Sequence, residues 1–335
     1  MTTPTRPRIG VAGVGSLGFH HARILSSMDG VVMAGIFDAR PDRVREVAAT
    51  LGVPAHATLE SLLGACDALV VAVPTTAHEV VATAALAAGK PVLVEKPLAP
   101  DLAAADRILA AAARHGHFVQ TGHSERFNQA VLAAEPFLDG PLFVESHRLA
   151  PFTPRSTDVP VVLDLMIHDV DLVMSLVGRP LKEFAASGVP VLTPSVDIAN
   201  ARLTFEGGAV ANLTASRVSM ERMRKLRLFQ PSGYLSLNLA DGSGEFLRLK
   251  RGLSELQEAA AEGPPAAMGL ADIVERIPLA GDGAEPLRRE LENFRDAVLG
   301  ERPPAVSGND GRAALAVALA IQERIELHVS DSRPA

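Results

Sequence analysis

The chain has 335 residues, 47% of them hydrophobic and 21% charged, enough for two domains with cores of their own. Its single cysteine, Cys66, excludes an intrachain disulfide and a cysteine-rich zinc site and suits a reducing compartment. A net charge of −7 with no tryptophan argues against nucleic acid as a partner; the longest strongly apolar run, Ala68 to Val73, is too short to span a membrane, and the polar, proline-containing start lacks a signal pattern, so a cytoplasmic location is expected.

In chain order, Arg8 to Gly13 reads as a buried strand, Phe19 to Met28 as a helix, Val31 to Asp38 as a strand and Pro41 to Leu51 as a helix. Ala68 to Pro74 is a strand, Ala77 to Ala88 a helix, Pro91 to Glu95 a strand, Asp101 to His115 an alanine-rich helix and Phe118 to Thr121 a strand. Continuous apolar strands alternating with helices predict a parallel sheet covered on both faces. From about Phe143 the pattern changes. Ile198 to Phe205 and Ala209 to Ser216 alternate in polarity around the Gly207-Gly208 turn, and Lys225 to Phe229 and Tyr234 to Leu239 read as further strands. This predicts an antiparallel sheet whose polar face, with Asn200, Thr204, Asn212, Thr214 and Ser216, carries only Arg202 as a charge. Leu253 to Pro286 reads as weak helix and loop, Leu287 to Leu299 as an amphipathic helix, and Ala313 to Leu327 as a final helix capped by Asn309 or Asp310.

The run Gly13-Val-Gly15-Ser16-Leu17-Gly18 follows a strand and opens a helix, the context a dinucleotide site requires. Gly13 permits the tight turn, Gly15 lets the backbone approach a pyrophosphate, and Gly18 lets helix pack on strand. The helix N-terminus offers free N–H groups to the phosphates. Asp38 lies 20 residues beyond Gly18, where its carboxylate can accept hydrogen bonds from the adenine ribose and disfavour a 2′-phosphate. Arg40 beside it favours that phosphate, so NAD is the expected cofactor and NADP the alternative. A plain turn and a helix cap are the competing readings.

Three further features carry chemistry. Glu95-Lys96-Pro97 follows a strand of the first sheet, where ligands bind, although a surface charge pair is the alternative. Asp164, His168 and Asp171 fall on one helical face among Leu165, Met166, Ile167 and Val170. An aspartate one turn from a histidine can fix its tautomer and favour the imidazolium, as a general acid–base requires. A satisfied core network and a metal site are the other two readings of this stripe. Arg126 and Asn128 in Gly122-His-Ser-Glu-Arg126-Phe-Asn128 can hydrogen-bond polar substrate groups or simply build a junction turn.

Taken together, Gly13 to Gly18, Pro74-Thr75-Thr-Ala-His78, Glu95-Lys96-Pro97 and the Asp164/His168/Asp171 stripe resemble the glucose–fructose oxidoreductase and inositol dehydrogenase (Gfo/Idh/MocA) family over nearly the whole chain. The resemblance implies an α/β fold: an N-terminal Rossmann doubly wound parallel sheet over residues 1–122, then a C-terminal α/β domain with an open, mostly antiparallel sheet over 123–335, the last helix packing back on the first domain. It implies reversible NAD(P)-dependent oxidation of a sugar or polyol hydroxyl, with Lys96 and His168 catalytic and Asp164 as partner. Pro74, Thr75, His78 and Glu95 join Gly13, Gly15, Ser16, Leu17, Gly18, Asp38 and Arg40 at the cofactor, and Asp171 touches substrate. Met166 stands where many members have glycine.

Within the family, the segments 122–128, 145–152 and 163–169 look like those of the UDP-N-acetylglucosamine 3-dehydrogenase subgroup, except that Gln129 follows Asn128 where proline is usual. Arg126, Arg148 and Arg155 are then candidate contacts to a diphosphate. The expectation is a homo-oligomer, dimer or tetramer, acting on a small-molecule sugar or nucleotide-sugar without a metal. A polyol dehydrogenase and a non-catalytic dinucleotide-binding regulator are the alternatives.

Overall fold

A computed structural model of the protein describes residues 6–153, 159–250 and 273–331. It divides into two compact units. The first holds the chain up to Ser124 and again Glu285–Val317; the second holds Glu125–Ala284 and the chain from Ala318 onward.

The first unit is a parallel sheet of β1 (Arg8–Ala12), β2 (Val32–Phe37), β3 (Ala68–Val71), β4 (Val92–Glu95) and β5 (Val119–Gly122), in the order β2-β1-β3-β4-β5. Ile9, Val11, Val70 and Leu93 are fully buried, as apolar strands covered on both faces must be. Helices α1 (Ser16–Ser27), α2 (Pro41–Leu51), α3 (Leu59–Ala65), α4 (His78–Ala87) and α5 (Leu102–His115) make the crossovers. The short α3 was not anticipated; the Thr58 side chain caps it by accepting the Ser61 amide.

The unit is completed by Glu285–Val317, from the stretch expected in the second domain, of which only the last helix was expected to pack back on the first. Helix α8 (Pro286–Val298) places Leu291 and Phe294 in one apolar cluster with Ile24, Leu25 and Val31. The final helix, α9 (Gly308–Asp331), begins five residues earlier than expected. Ser307 and Asp310 form a reciprocal cap, each accepting the other's amide, so Asp310 serves as the third helical residue of a capping box. Gly308 and Gly311 lie so close to Val119 and Thr121 that a Cβ at either would collide with them.

The second unit is an eight-stranded sheet, in the order β13-β12-β11-β10-β6-β9-β8-β7, antiparallel except where β6 pairs with β9. Its strands are β6 (Phe143–Leu149), β7 (Leu181–Val189), β8 (Ile198–Phe205), β9 (Val210–Ser216), β10 (Met223–Gln230), β11 (Gly233–Asn238), β12 (Ser243–Leu249) and β13 (Val274–Ala280). The four expected strands are present and four more join them. β7 escaped notice because it is a largely exposed edge carrying Lys182 and Glu183. β13 corrects the expectation of weak helix before Pro286, while residues 253–272 of that stretch lie outside the described residues. On β8 and β9, Ala199, Ala201, Leu203, Ala211 and Leu213 point into the core, and Asn200 and Arg202 on the other face hydrogen-bond Thr214 and Asn212 at 3.0 Å each. Helices α6 (Gln129–Ala134) and α7 (Ile167–Val177) also belong to this unit.

Candidate active site

Strand order in the first unit reverses between β1 and β3, and a crevice at such a switch point is where open α/β sheets bind ligands. A pocket of about 670 Å3 lies there, lined by Gly13, Gly15, Asp38, Arg40, Val73 and Pro74 among others. Gly13 has φ +86°, and a Cβ on it would run into the Ala72 carbonyl at 2.5 Å; one on Gly18 would meet the Gly13 carbonyl at 1.9 Å. A Cβ on Gly15 would meet open space, leaving room for a ligand to approach the backbone. Among the described residues no side chain caps α1, whereas Asp101 caps α5. The first amides of α1, beside exposed Ser16 and Leu17, are thus available to an anion. These features fit a dinucleotide.

Asp38 sits at the far wall of that pocket. Its Oδ2 accepts the Val14 amide at 2.9 Å and its Oδ1 accepts Arg40 N and Nε at 3.0 and 3.1 Å. Partial burial would raise its carboxyl pKa, but the Arg40 and Val14 donors outweigh this and hold it below 3.8. Arg40, on which a 2′-phosphate contact was conditional, is paired with Asp38 instead.

Two residues expected at the cofactor are turned inward. His78 is 1% exposed, with Nδ1 3.0 Å from the Pro97 carbonyl oxygen and Nε2 3.0 Å from that of Val73. It straps the turn after β3, which carries Pro74 and Thr75, to the turn after β4. Burial pushes its pKa down, against the opposing pull of those carbonyls. Glu95 is also buried; its Oε1 is 2.6 Å from His21 Nε2 and its Oε2 accepts the Lys96 amide at 3.1 Å. Lys96, the next residue, is half-buried.

In the second unit Asp164 and His168 are half-buried, while Asp171 is 2% exposed. They do not share one regular helix. Val162–Met166 form a π-helical turn before α7, the kind of local widening often found at functional sites. This turn shifts Asp164 off the simple α-helical spacing to His168.

The arginines expected to face a diphosphate are engaged with acids of the same unit. Arg126 donates from Nε and Nη2 to the two oxygens of Asp171, at 2.7 and 2.9 Å, and bonds Ser175. Arg148 is 3% exposed; Nε and Nη2 grip Asp169 and Nη1 donates to Glu125 at 2.8 Å. Burial alone would depress its pKa, but Asp169 and Glu125 outweigh it and hold the guanidinium charged. Asn128 is 4% exposed; it caps α6 and donates to Glu125 and the Leu239 carbonyl, so it builds the junction turn rather than facing a ligand. Arg155 lies outside the described residues.

Sequence reading missed His21, Glu125, Asp169 and Glu290, all buried. Asp169 had a signal, since it adjoins His168 within an apolar helix; Glu125 had one in the arginine beside it. His21 and Glu290 had none, being far apart in sequence and packed through tertiary structure alone.

The family model described as "Oxidoreductase family, NAD-binding Rossmann fold" matches residues 7–123, and the GFO/IDH/MocA C-terminal domain matches 145–235. A UDP-N-acetylglucosamine 3-dehydrogenase of Acidithiobacillus ferrooxidans is 35% identical over 320 residues, covering 95% of this chain and 97% of that protein. A crystal form of it aligns with TM-score 0.86 at 34% identity, covering 96% of this chain and 98% of that one. A myo-inositol 2-dehydrogenase of Thermotoga maritima is 27% identical over 341 residues, covering 95% of this chain and 96% of that protein. No described helix is long and apolar enough to cross a membrane. With the glycine turn, the switch-point pocket and Asp38 in place on a chain matched along almost its whole length, the protein belongs to the Gfo/Idh/MocA family of NAD-dependent oxidoreductases.

Proposed function

We propose that the protein oxidises the 3-hydroxyl of a UDP-linked N-acetylhexosamine. The observation that carries this reading is the likeness, end to end, to a UDP-N-acetylglucosamine 3-dehydrogenase. When bound, NAD supplies the acceptor for the hydride leaving the carbinol carbon. His168 takes the hydroxyl proton, Lys96 hydrogen-bonds the developing alkoxide, and Asp164 supports the histidine. Buried Arg148 is not counted among the diphosphate contacts, because its donors are held by Asp169 and Glu125. Arg126 reaches substrate only if it shares its guanidinium with Asp171.

That neutralisation favours a second reading, oxidation of an uncharged polyol, which the likeness to a myo-inositol 2-dehydrogenase also supports. The experiment is NADH formation with UDP-N-acetylglucosamine beside myo-inositol and glucose. Turnover of the nucleotide sugar is expected. A polyol that reacts well while the UDP-sugar neither reacts nor competes replaces the first reading with the second.

The assembly belongs to the same proposal: a cytoplasmic homodimer or homotetramer joined through the polar face of β8 and β9. An ordinary solvated face would hold more lysine and glutamate. Light scattering at micromolar concentration is expected to give at least a dimer, and a monomeric mass removes the sheet face from this role.

A further inference from the structure

Helix α1 carries more than the phosphate-facing turn. Its His21 is fully buried and reaches the end of β4, where Nε2 stands 2.6 Å from Glu95 Oε1. The other oxygen of Glu95 accepts the amide of Lys96 at 3.1 Å. One carboxylate therefore bridges an α1 side chain and the backbone of the residue proposed to meet the alkoxide. Gly122 leaves it room, since a Cβ there would press on the Glu95 carboxyl at 3.0 Å. Glu290, from α8, brings a second buried carboxylate; one ligand atom from each of His21, Glu95 and Glu290 lies within 4.8 Å of the others.

We infer that His21 is a positioning residue for Lys96: through Glu95 it ties the turn that presents the lysine to the helix that opens the dinucleotide pocket. The inference rests on the reading of Lys96 as the group that meets the alkoxide. The physical argument is the isolation of Glu95. A buried carboxylate without its partner is strongly unfavourable, so it takes up a proton or turns away. Either change alters the acceptor on the Lys96 amide, and a displacement of about 1 Å at a reacting group can lower a rate by about a hundredfold. A histidine serving stability alone would have no such directed effect on one turn.

The test compares His21→Leu, which removes the donor, with His21→Gln, which keeps a nitrogen donor at similar reach. Lys96→Met serves as a reference, and all are made in the full chain. Two quantities are read: amide exchange at Lys96, with Leu93 and Val94 of β4 as internal controls, and kcat for UDP-N-acetylglucosamine and myo-inositol. In His21→Leu, Lys96 exchange is expected to rise about fivefold, the worth of one hydrogen bond, with the controls unchanged. The kcat falls about 10–100-fold with KM held within about threefold. His21→Gln restores both quantities to within about threefold. Unchanged exchange and kcat in His21→Leu overturn the inference. So does a His21→Gln variant as impaired as His21→Leu, or exchange that rises equally at Leu93 and Val94, which marks a plain core stabiliser. A Lys96→Met variant with full turnover, or a wild type that turns over neither sugar, overturns the functional reading instead, and the exchange comparison still decides whether His21 holds the turn.

Discussion

Arg148 holds Asp169 in two near-parallel hydrogen bonds, Nε to Oδ2 at 3.0 Å and Nη2 to Oδ1 at 2.9 Å, with both side chains 3% exposed. Asp169 follows His168 directly, so this pair anchors the turn of α7 that carries the proposed base. Arg148→Met leaves Asp169 and Glu125 without their shared cation in the interior. Removing one partner of a buried pair typically costs about 3–5 kcal/mol. We expect a loss of that size in urea unfolding, and partial recovery when Asp169→Leu is added. A loss under about 1 kcal/mol would mean that water reaches the pair.

Asp197 predicts a pH dependence. It is fully buried, and its Oδ2 accepts the amides of Val191, Leu192 and Thr193 at 2.8, 2.7 and 2.9 Å. Burial works to raise its pKa, but these donors prevail and hold it below 3.8. A carboxyl with a depressed folded pKa contributes stability above its unfolded value and loses that contribution as pH falls through the folded one. Asp197→Asn should therefore be less stable than wild type by about 1–3 kcal/mol at neutral pH. The gap should close below about pH 4, measured as unfolding free energy across a pH series. A gap that widens in acid contradicts the assignment.

Lys96→Ala and His168→Ala are each expected to lower kcat by about 10²–10⁴, the usual contribution of a general acid or base. Both variants should still quench or enhance NADH fluorescence on binding, because the switch-point pocket does not include either residue among its lining. Asp164→Asn should be impaired as well. Near-normal turnover in His168→Ala removes it from the mechanism.

Cofactor choice tests Asp38. The wild type should favour NAD over NADP in kcat/KM, since an ionised carboxylate repels a 2′-phosphate. Because Asp38 already binds Arg40, Asp38→Asn both removes the repulsion and releases that guanidinium. The NAD/NADP ratio should fall by at least about tenfold. An unchanged ratio places the ribose elsewhere.

The parallel sheet was legible because its strands are short, continuous apolar runs broken by glycine-ended helices, a pattern without a close competitor. The antiparallel sheet was half legible: β8 and β9 alternate cleanly, whereas β7 and β13 are edge strands whose polar residues blur the period. Near the site, residue type was readable but direction was not. Arg148 has the composition of a phosphate ligand, and only packing shows that it faces Asp169. Asp38 and the glycines were readable because their roles follow from backbone geometry, which local sequence encodes. The partnership of His21 and Glu95 joins residues 74 positions apart, which no periodicity reports.

The return of the chain at Glu285 to the first unit has a temporal consequence. Synthesis of the parallel sheet is complete by Ser124, yet Leu291 and Phe294, which share an apolar cluster with Ile24 and Leu25, are made about 170 residues later. At about 5–20 residues per second that interval lasts roughly 10–30 s. During it the part of the α1 cluster that Leu291 and Phe294 cover is exposed, and His21 lacks Glu290. The nascent sheet must therefore stay soluble while all eight strands of the second sheet are synthesised, and the cofactor-binding half, first to begin, is finished only after its neighbour's strands are complete.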